Sequence, residues 1–324
     1  MKKILAIVIG LAFFAPPSAM GCSIPVFRLA LEKWDLTTYE ILVYHRGPLP
    51  ADLQKMLDRL NAAPGKANVD VTFIDLDAKT TTNLRNSQIN LWKKEATSGD
   101  VPWMLVRYEV PREGSFTAWS AACTVANLNI LLDSPMRKAI LAHLTRGASG
   151  VFVLMTSGDE KEDRAALEMM QAKLQSLEKK IKLPAPTKDG PQMTWRLPLR
   201  VGLPILVLDR TKPEEAALVR MLLNTGEELA KAKGPIVFPI YGKGRVLPGL
   251  AGADLSEKYL FMVTEFLCGP CSCTIKAANP GKDLLMTANW KEIENTLFAG
   301  KEPVPMPAES FTTLPRYAPA LKGP

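Results

Sequence analysis

Residues 40–49 read Glu-Ile-Leu-Val-Tyr-His-Arg-Gly-Pro-Leu. The first half of this stretch is a short apolar run of strand length, and residues 45–48 contain the Gly-Pro pair of a turn. Four apolar residues then recur at helical spacing: Leu53, Met56, Leu57 and Leu60. The stretch therefore predicts a buried strand that turns directly into a helix.

The chain continues as strands and helices up to residue 144. Alternating or apolar segments predict strands at residues 69–75, 104–108 and 116–119. Helical periodicity predicts helices at residues 87–95, 124–132 and 135–144. This first unit has the order β-α-β-α-β-β-α, which indicates the α/β class.

The order resembles that of the thioredoxin superfamily, and the resemblance extends to the turn after the first strand. Thioredoxins have Trp-Cys-Gly-Pro-Cys there, whereas this chain keeps Gly47-Pro48 and has Arg46 and Leu49 in place of the two cysteines. Pro102 stands just before the third predicted strand, where thioredoxins have a proline that is usually cis. The resemblance implies a domain without dithiol exchange at this turn, because neither Arg46 nor Leu49 carries sulfur.

The resemblance also implies a groove at His45, Arg46 and Pro102, where thioredoxin-like proteins hold extended peptides. Arg46 precedes the start of the predicted helix, so it is also a candidate for binding an anion at the helix N-terminus. An ordinary polar turn is the alternative explanation of His45 and Arg46.

A second unit with the same order of elements begins at residue 150. Strands are predicted at residues 151–156, 200–209, 235–241 and 246–250, and helices after residue 159 and at residues 213–223 and 256–267. The turn at residues 157–159 also lacks cysteine. We therefore predict an α/β protein with two thioredoxin-like domains in tandem, residues 22–145 and 146–300. A proline-rich tail is predicted at residues 301–324.

Residues 1–21 have the three parts of a secretory signal peptide: a cationic start, a short apolar core and small residues before the mature chain. The sequence Ala19-Met20-Gly21-Cys22 resembles the bacterial lipobox, although Ala19 stands where a lipobox prefers Leu. Cys22 is either lipidated, which would anchor the protein to a membrane, or a disulfide partner in an oxidising compartment. We expect an exported protein in the periplasm or on the periplasmic face of the inner or outer membrane.

The formal net charge is +7, and the basic residues are interleaved with acidic ones. A nucleic-acid-binding protein would concentrate its basic residues on one stripe, so nucleic acid is not an expected partner.

Three of the five cysteines lie within six residues: Cys268, Cys271 and Cys273. Residues 268–271, Cys-Gly-Pro-Cys, match the thioredoxin redox tetrapeptide letter for letter. They follow the predicted helix 256–267, however, and the C-terminus of a helix disfavours a thiolate.

Three explanations of this cluster stay open. In the first, its sulfurs form disulfides with each other or with Cys22, and these disulfides hold the C-terminal segment in place. Alternatively, Cys268 and Cys271 perform thiol–disulfide exchange. As a third possibility, Cys268, Cys271 and Cys273 bind zinc or copper through their thiolates.

The sequence favours a non-enzymatic envelope protein whose redox-inert domains bind or scaffold an unidentified protein or peptide, without a cofactor. The alternative is an envelope thiol oxidoreductase or a thiolate metal-binding protein that uses the cysteine cluster. No Ser-His-Asp set and no motif for a zinc peptidase or a phosphate-binding loop can be assembled from the sequence.

Overall fold

The structure is a computed structural model that describes residues 24–63, 65–79, 82–96, 99–110, 114–185, 197–271 and 275–299. The predicted signal peptide, Cys22, Cys273 and the predicted tail lie outside these residues. Within the described residues the chain forms two mixed β-sheets flanked by helices, which confirms the α/β class.

The first sheet follows a short helix, α1 (Val26–Lys33). Its strands are β1 (Tyr39–His45), β2 (Val69–Asp75), β3 (Trp103–Val110) and β4 (Gly114–Ala122), in the order β2-β1-β3-β4. β1 is parallel to β2 and antiparallel to β3, and β4 is antiparallel to β3. The helices of this unit are α2 (Ala51–Ala62), α3 (Asn83–Glu95), α4 (Val125–Leu132) and α5 (Pro135–Thr145).

Both faces of the first sheet are buried. Successive side chains of a strand point to opposite faces, so Ile41 and Val43 pack in one core with α2 and α4. Leu42 and Tyr44 face the other way and pack in a second core that includes Trp92 of α3. Helices on both faces explain why residues 40–44 are almost continuously apolar rather than alternating.

The second sheet repeats this arrangement. Its strands are β5 (Val151–Met155), β6 (Ile205–Leu208), β7 (Ile236–Tyr241), β8 (Arg245–Val246), β9 (Leu250–Ala251) and β10 (Lys282–Asp283). β5 is parallel to β6 and antiparallel to β7, and β8 is antiparallel to β7. β10 adds to the edge at β8, and β9 pairs with β7. The order β8-β7-β5-β6 is therefore the order β4-β3-β1-β2 of the first sheet.

Helices again cover both faces of the second sheet. α6 (Glu160–Lys180) and α8 (Glu257–Cys268) pack with α1 against Phe152 and Leu154. On the other face, Val153 and Met155 join α7 (Ala216–Leu223) in the same core as Ile41 and Val43 of the first sheet. The two sheets therefore share one hydrophobic core. A last helix, α9 (Trp290–Phe298), packs on Leu31 of α1.

The predicted strand 246–250 is instead two short strands, β8 and β9. Pro248 has no N–H to donate to a neighbouring strand. At Gly249 an added Cβ would lie 2.3 Å from the ring of Phe238, so the chain comes too close to this ring for a larger residue. The predicted strand 200–209 is likewise shorter, since β6 begins after Pro204.

Two helices were not predicted from the sequence, α1 and α9. α1 is only eight residues long, and it is buried from Val26 to Leu31, including Arg28. The sequence does contain a signal for α9, the N-cap residue Asn289. The side chain of Asn289 accepts a hydrogen bond from the N–H of Glu292 (3.3 Å), the pattern of a helix N-cap.

Candidate functional site

The C-terminal end of β1 contains two of the three predicted groove residues. The register between β1 and β3 pairs Tyr44 with Trp103, so the next residues across the ladder are His45 and Pro102. The peptide bond between Val101 and Pro102 is cis, in agreement with the prediction for this proline. The structure thus brings His45 and Pro102 to the same end of the sheet.

The ring of His45 is oriented by its own turn. Its Nδ1 lies 2.8 Å from the carbonyl oxygen of Gly47, which can only accept, so Nδ1–H is the donor. In the neutral ring Nε2 is then an acceptor. Gly47 has φ +61°, in the left-handed region that glycine adopts without strain. The Gly-Pro turn therefore fixes which nitrogen of His45 can accept a hydrogen bond from a ligand.

Arg46 forms an ion pair with Asp77, which follows β2. Both side chains are about half exposed, at 52% and 55%, so the pair contributes little to stability. An incoming ligand can therefore compete for the guanidinium at a small free-energy cost. Arg46 therefore lies at the same end of the sheet as the other two predicted groove residues, His45 and Pro102, but its side chain reaches towards β2.

The corresponding turn of the second unit is closed by a buried carboxylate. Asp163, in the first turn of α6, accepts hydrogen bonds from the N–H of Ser157 (2.7 Å), its hydroxyl (2.8 Å) and the N–H of Gly158 (3.1 Å). Asp163 is 3% exposed. The backbone donors that would bind an anion at this turn are therefore already used within the chain.

Cys268 and Cys271 lie at the far end of α8 from its N-cap, Ser256, as the sequence predicted. Both residues are 1% exposed. Burial raises the pKa of the Cys268 thiol to about 12, although a hydrogen bond with Ser149 opposes the change. Because the thiolate is the nucleophile, this site keeps Cys268 in its unreactive form at neutral pH.

The N-terminal residues of the described chain pair with this cysteine segment. Pro25 and Pro270 form an antiparallel bridge. The N–H of Val26 donates to the carbonyl of Gly269 (3.1 Å), and the N–H of Cys271 donates to that of Ile24 (2.9 Å). Two parts of the chain that are far apart in sequence thus cover the end of α8 together.

The other cysteines add no reactive site among the described residues. Cys123, next to β4, is 1% exposed, and burial raises the pKa of its thiol to about 12. No disulfide joins two of the described cysteines. No group of three potential metal ligands occurs in the described part of the chain. The other two candidates, Cys22 for lipidation or a disulfide and Cys273 for a disulfide or a metal, lie outside it.

We expect Cys123 and Cys268 of the native protein to react with iodoacetamide about a hundredfold more slowly than in concentrated guanidinium chloride, because both thiols are buried and protonated. Alkylation followed by mass spectrometry of each cysteine peptide measures this. The denatured protein provides the reference rate. Rapid labelling of native Cys268 would contradict the buried site and would favour thiol exchange at the cluster.

Sequence reasoning missed a buried ionic cluster around Asp283. One carboxylate oxygen accepts from Arg245 Nη1 (3.0 Å). The other accepts from the N–H and hydroxyl of Thr37 (2.7 and 2.9 Å) and from Lys276. Burial alone raises the pKa of Asp283, but the two cations and the Thr37 N–H outweigh it and hold the pKa below its ordinary value.

Another buried cation occupies the glycine turn between β7 and β8. Lys243 is 5% exposed and forms ion pairs with Glu294 of α9 and, at 3.5 Å, with Asp35. Gly242 and Gly244 on either side have φ of +62° and +119°, which a tight turn between two strands requires. Lys243 therefore attaches α9 to the second sheet.

Within the described residues, no helix combines the length and apolar character needed to cross a membrane. No model of a known protein family, no curated protein and no solved structure matches the chain.

Proposed function

We propose that this chain is an exported, non-enzymatic binding protein built from two thioredoxin-like units, and that the first unit holds an extended peptide at the end of β1. The observation that carries the proposal is the composition of this sheet end. His45 and Pro102 face each other across the ladder with Arg46 beside them, and the turn that follows β1 contains no sulfur.

The repeated architecture supports the thioredoxin-like part of the proposal. The strands β6-β5-β7-β8 repeat the order and the parallel and antiparallel pairings of β2-β1-β3-β4. In both, the helix after the first strand packs on the same face as the helix after the fourth, α2 with α4 and α6 with α8. Fold alone does not determine function, so the binding role depends on the groove.

The backbone next to Pro102 supports peptide binding. Val101 is half-buried, and its N–H and C=O form no hydrogen bond with another described residue. An extended peptide that passes this position can pair with both groups, as in strand addition. At the same end of the sheet, Nε2 of His45 supplies an acceptor, and the guanidinium of Arg46 supplies a cation on the side of β2.

The position of the cysteines supports a role without dithiol exchange. The Cys-Gly-Pro-Cys segment lies at the C-terminal end of α8, and the thiol of Cys268 is buried. Export and attachment through Cys22 rest on the signal-peptide pattern of residues 1–21 and on the lipobox resemblance. An envelope protein or peptide is the partner that this combination favours.

The test uses peptides selected on the wild-type protein from a displayed library of random sequences. We expect His45→Ala and Arg46→Ala each to weaken binding of a selected peptide by about tenfold, the cost of losing one good interface contact. Arg59→Ala is the matched control, because Arg59 is an exposed arginine further along α2. Fluorescence anisotropy of a labelled peptide gives the dissociation constants.

A redox assay completes the test. The protein is expected not to accelerate the reduction of insulin disulfides by dithiothreitol. The proposal fails if no peptide is selected, or if the selected peptides bind both groove variants as tightly as the wild type. If the protein catalyses insulin reduction and Cys268→Ser abolishes this activity, the function is thiol exchange and not peptide binding.

A further inference from the structure

A cavity of about 490 Å³ lies at the other end of the first sheet, between that sheet and the C-terminal part of the second. It is lined by residues at the end of β3, by the segment 275–283 and by Thr37 and Arg245. Sites for small molecules have volumes of a few hundred Å³, so the cavity has the size of a ligand site.

The cavity is distinct from the proposed peptide groove. Tyr108 of β3 is paired with Tyr39, the first residue of β1, whereas His45 is the last residue of that strand. Six steps along a strand separate the two ends by about 20 Å. A ligand in the cavity therefore contacts none of the groove residues.

Two of the three cations that line the cavity share one ion-pair partner. Arg245 and Lys276 both pair with the buried carboxylate of Asp283. Lys282 has no such partner, since no described carboxylate lies within ion-pair distance of its ammonium. Glu109 also lines the cavity, but it is exposed and pairs with none of the described cations.

Lys282 is instead held over two aromatic rings. Its Nζ lies 5.3 Å from the ring centroid of Phe116 and 6.0 Å from that of Tyr108. The rings themselves are 5.9 Å apart and pack together. A cation placed on aromatic rings keeps its charge available for an anion on its open side.

Apolar surface next to this cation completes the site. Tyr108, Val110, Ile275, Ala277 and Pro280 line the cavity. Ile275 is 64% exposed, which leaves its side chain available to a ligand.

We propose that this cavity binds a small organic carboxylate, whose charge pairs with Lys282 and whose apolar part packs on Tyr108, Val110 and Ile275. Three cations and two carboxylates, Glu109 and Asp283, line the cavity and leave it a net charge of +1. This charge selects one negative charge on the ligand, and the apolar surface selects a hydrocarbon or aromatic body. The proposal is independent of peptide binding at His45.

Isothermal titration of the full mature chain with phenylbutyrate tests the proposal. We expect Lys282→Gln to weaken binding about tenfold or more, as expected when a charge-assisted contact is lost. Ile275→Ser should weaken it by a smaller factor. Lys258→Gln is the control because Lys258 is an exposed lysine on α8, and its affinity should equal that of the wild type. The uncharged phenylbutyramide should bind the wild type as weakly as phenylbutyrate binds Lys282→Gln.

Circular dichroism of each variant verifies that it is folded. The proposal is overturned if the wild type does not bind phenylbutyrate. It is equally overturned if Lys282→Gln, while folded, binds phenylbutyrate with wild-type affinity, or if phenylbutyramide binds as tightly as the acid.

Discussion

Replacing Asp283 by alanine is expected to lower the free energy of unfolding by about 3–5 kcal/mol, the range found when one partner of a buried ion pair is removed. The side chain of Asp283 is 2% exposed and that of Arg245 10%. The variant would leave the Arg245 guanidinium buried without its carboxylate, and Thr37 without its acceptor. Equilibrium denaturation with urea measures the loss.

The contribution of Asp283 to stability should depend on pH in a definite direction. The pKa of Asp283 in the folded protein lies below its ordinary value. Its contribution is therefore complete above the unfolded pKa of about 3.9 and disappears as the pH falls through the folded-state pKa. The loss of unfolding free energy in Asp283→Asn relative to the wild type should grow as the pH rises from the folded-state pKa to about 5 and then stay constant.

Asp70→Ala is the control for this effect. Asp70 is an exposed residue of β2, so its replacement should change the free energy of unfolding by less than about 0.5 kcal/mol. A loss in Asp283→Ala as small as that of the control would mean that the ionic cluster does not form in solution.

Replacing Glu215 by alanine is expected to cost about 2–4 kcal/mol, because it leaves buried donors without an acceptor. Glu215, in a 3₁₀ turn before α7, is 0% exposed. Its carboxylate accepts from the hydroxyl of Ser134 (2.5 Å) and the N–H of Met136 (2.7 Å), at the start of α5. The side chain thus joins the second unit to a helix of the first. Thermal and urea denaturation both report the loss.

Glu215 and Asp283 should respond to pH in opposite directions. Burial raises the pKa of Glu215, and its hydrogen bonds and the nearby guanidinium of Arg137 only partly oppose the change. The contribution of Glu215 is therefore complete below the unfolded pKa of about 4.3 and is lost as the pH rises through the folded-state pKa. The loss of unfolding free energy in Glu215→Gln, relative to the wild type, should shrink as the pH rises, whereas the loss in Asp283→Asn grows.

The neighbouring residue provides a matched control. Glu214 lies in the same 3₁₀ turn but is half-exposed, and its side chain has no hydrogen bond or ion pair with another described residue. Glu214→Ala should leave the stability unchanged to within about 0.5 kcal/mol. If both variants lose the same stability, the loss comes from the turn and not from the buried carboxylate.

Local patterns in the sequence were sufficient to predict most strands and helices of the two sheets. β1 and β2 have the predicted bounds within one residue, because a buried strand is a short apolar run with turn residues on either side. The position of Cys268 at the end of α8 also followed from local signals, since Ser256 is a good N-cap. The proline before β3 was recognised from its place in the order of elements.

The ionic clusters could not be predicted in this way, because nothing local distinguishes their members. Thr37 and Asp283 are 246 positions apart, and the sequence around Asp283 has no motif. Glu215 and Ser134 are likewise 81 positions apart. Both carboxylates become buried only when distant parts of the chain pack together, so their pKa shifts are properties of the tertiary structure.

The pairing of Ile24 and Val26 with Gly269 and Cys271 has a consequence for the order of folding. A ribosome makes the chain from its N-terminus, and domains generally fold in that order. Yet α1 packs on α8 and β7, which are made more than two hundred residues later. Contacts of such large sequence separation form slowly, because the loop between them must first be closed. α1 is thus the first described helix to be synthesised and one of the last to be packed.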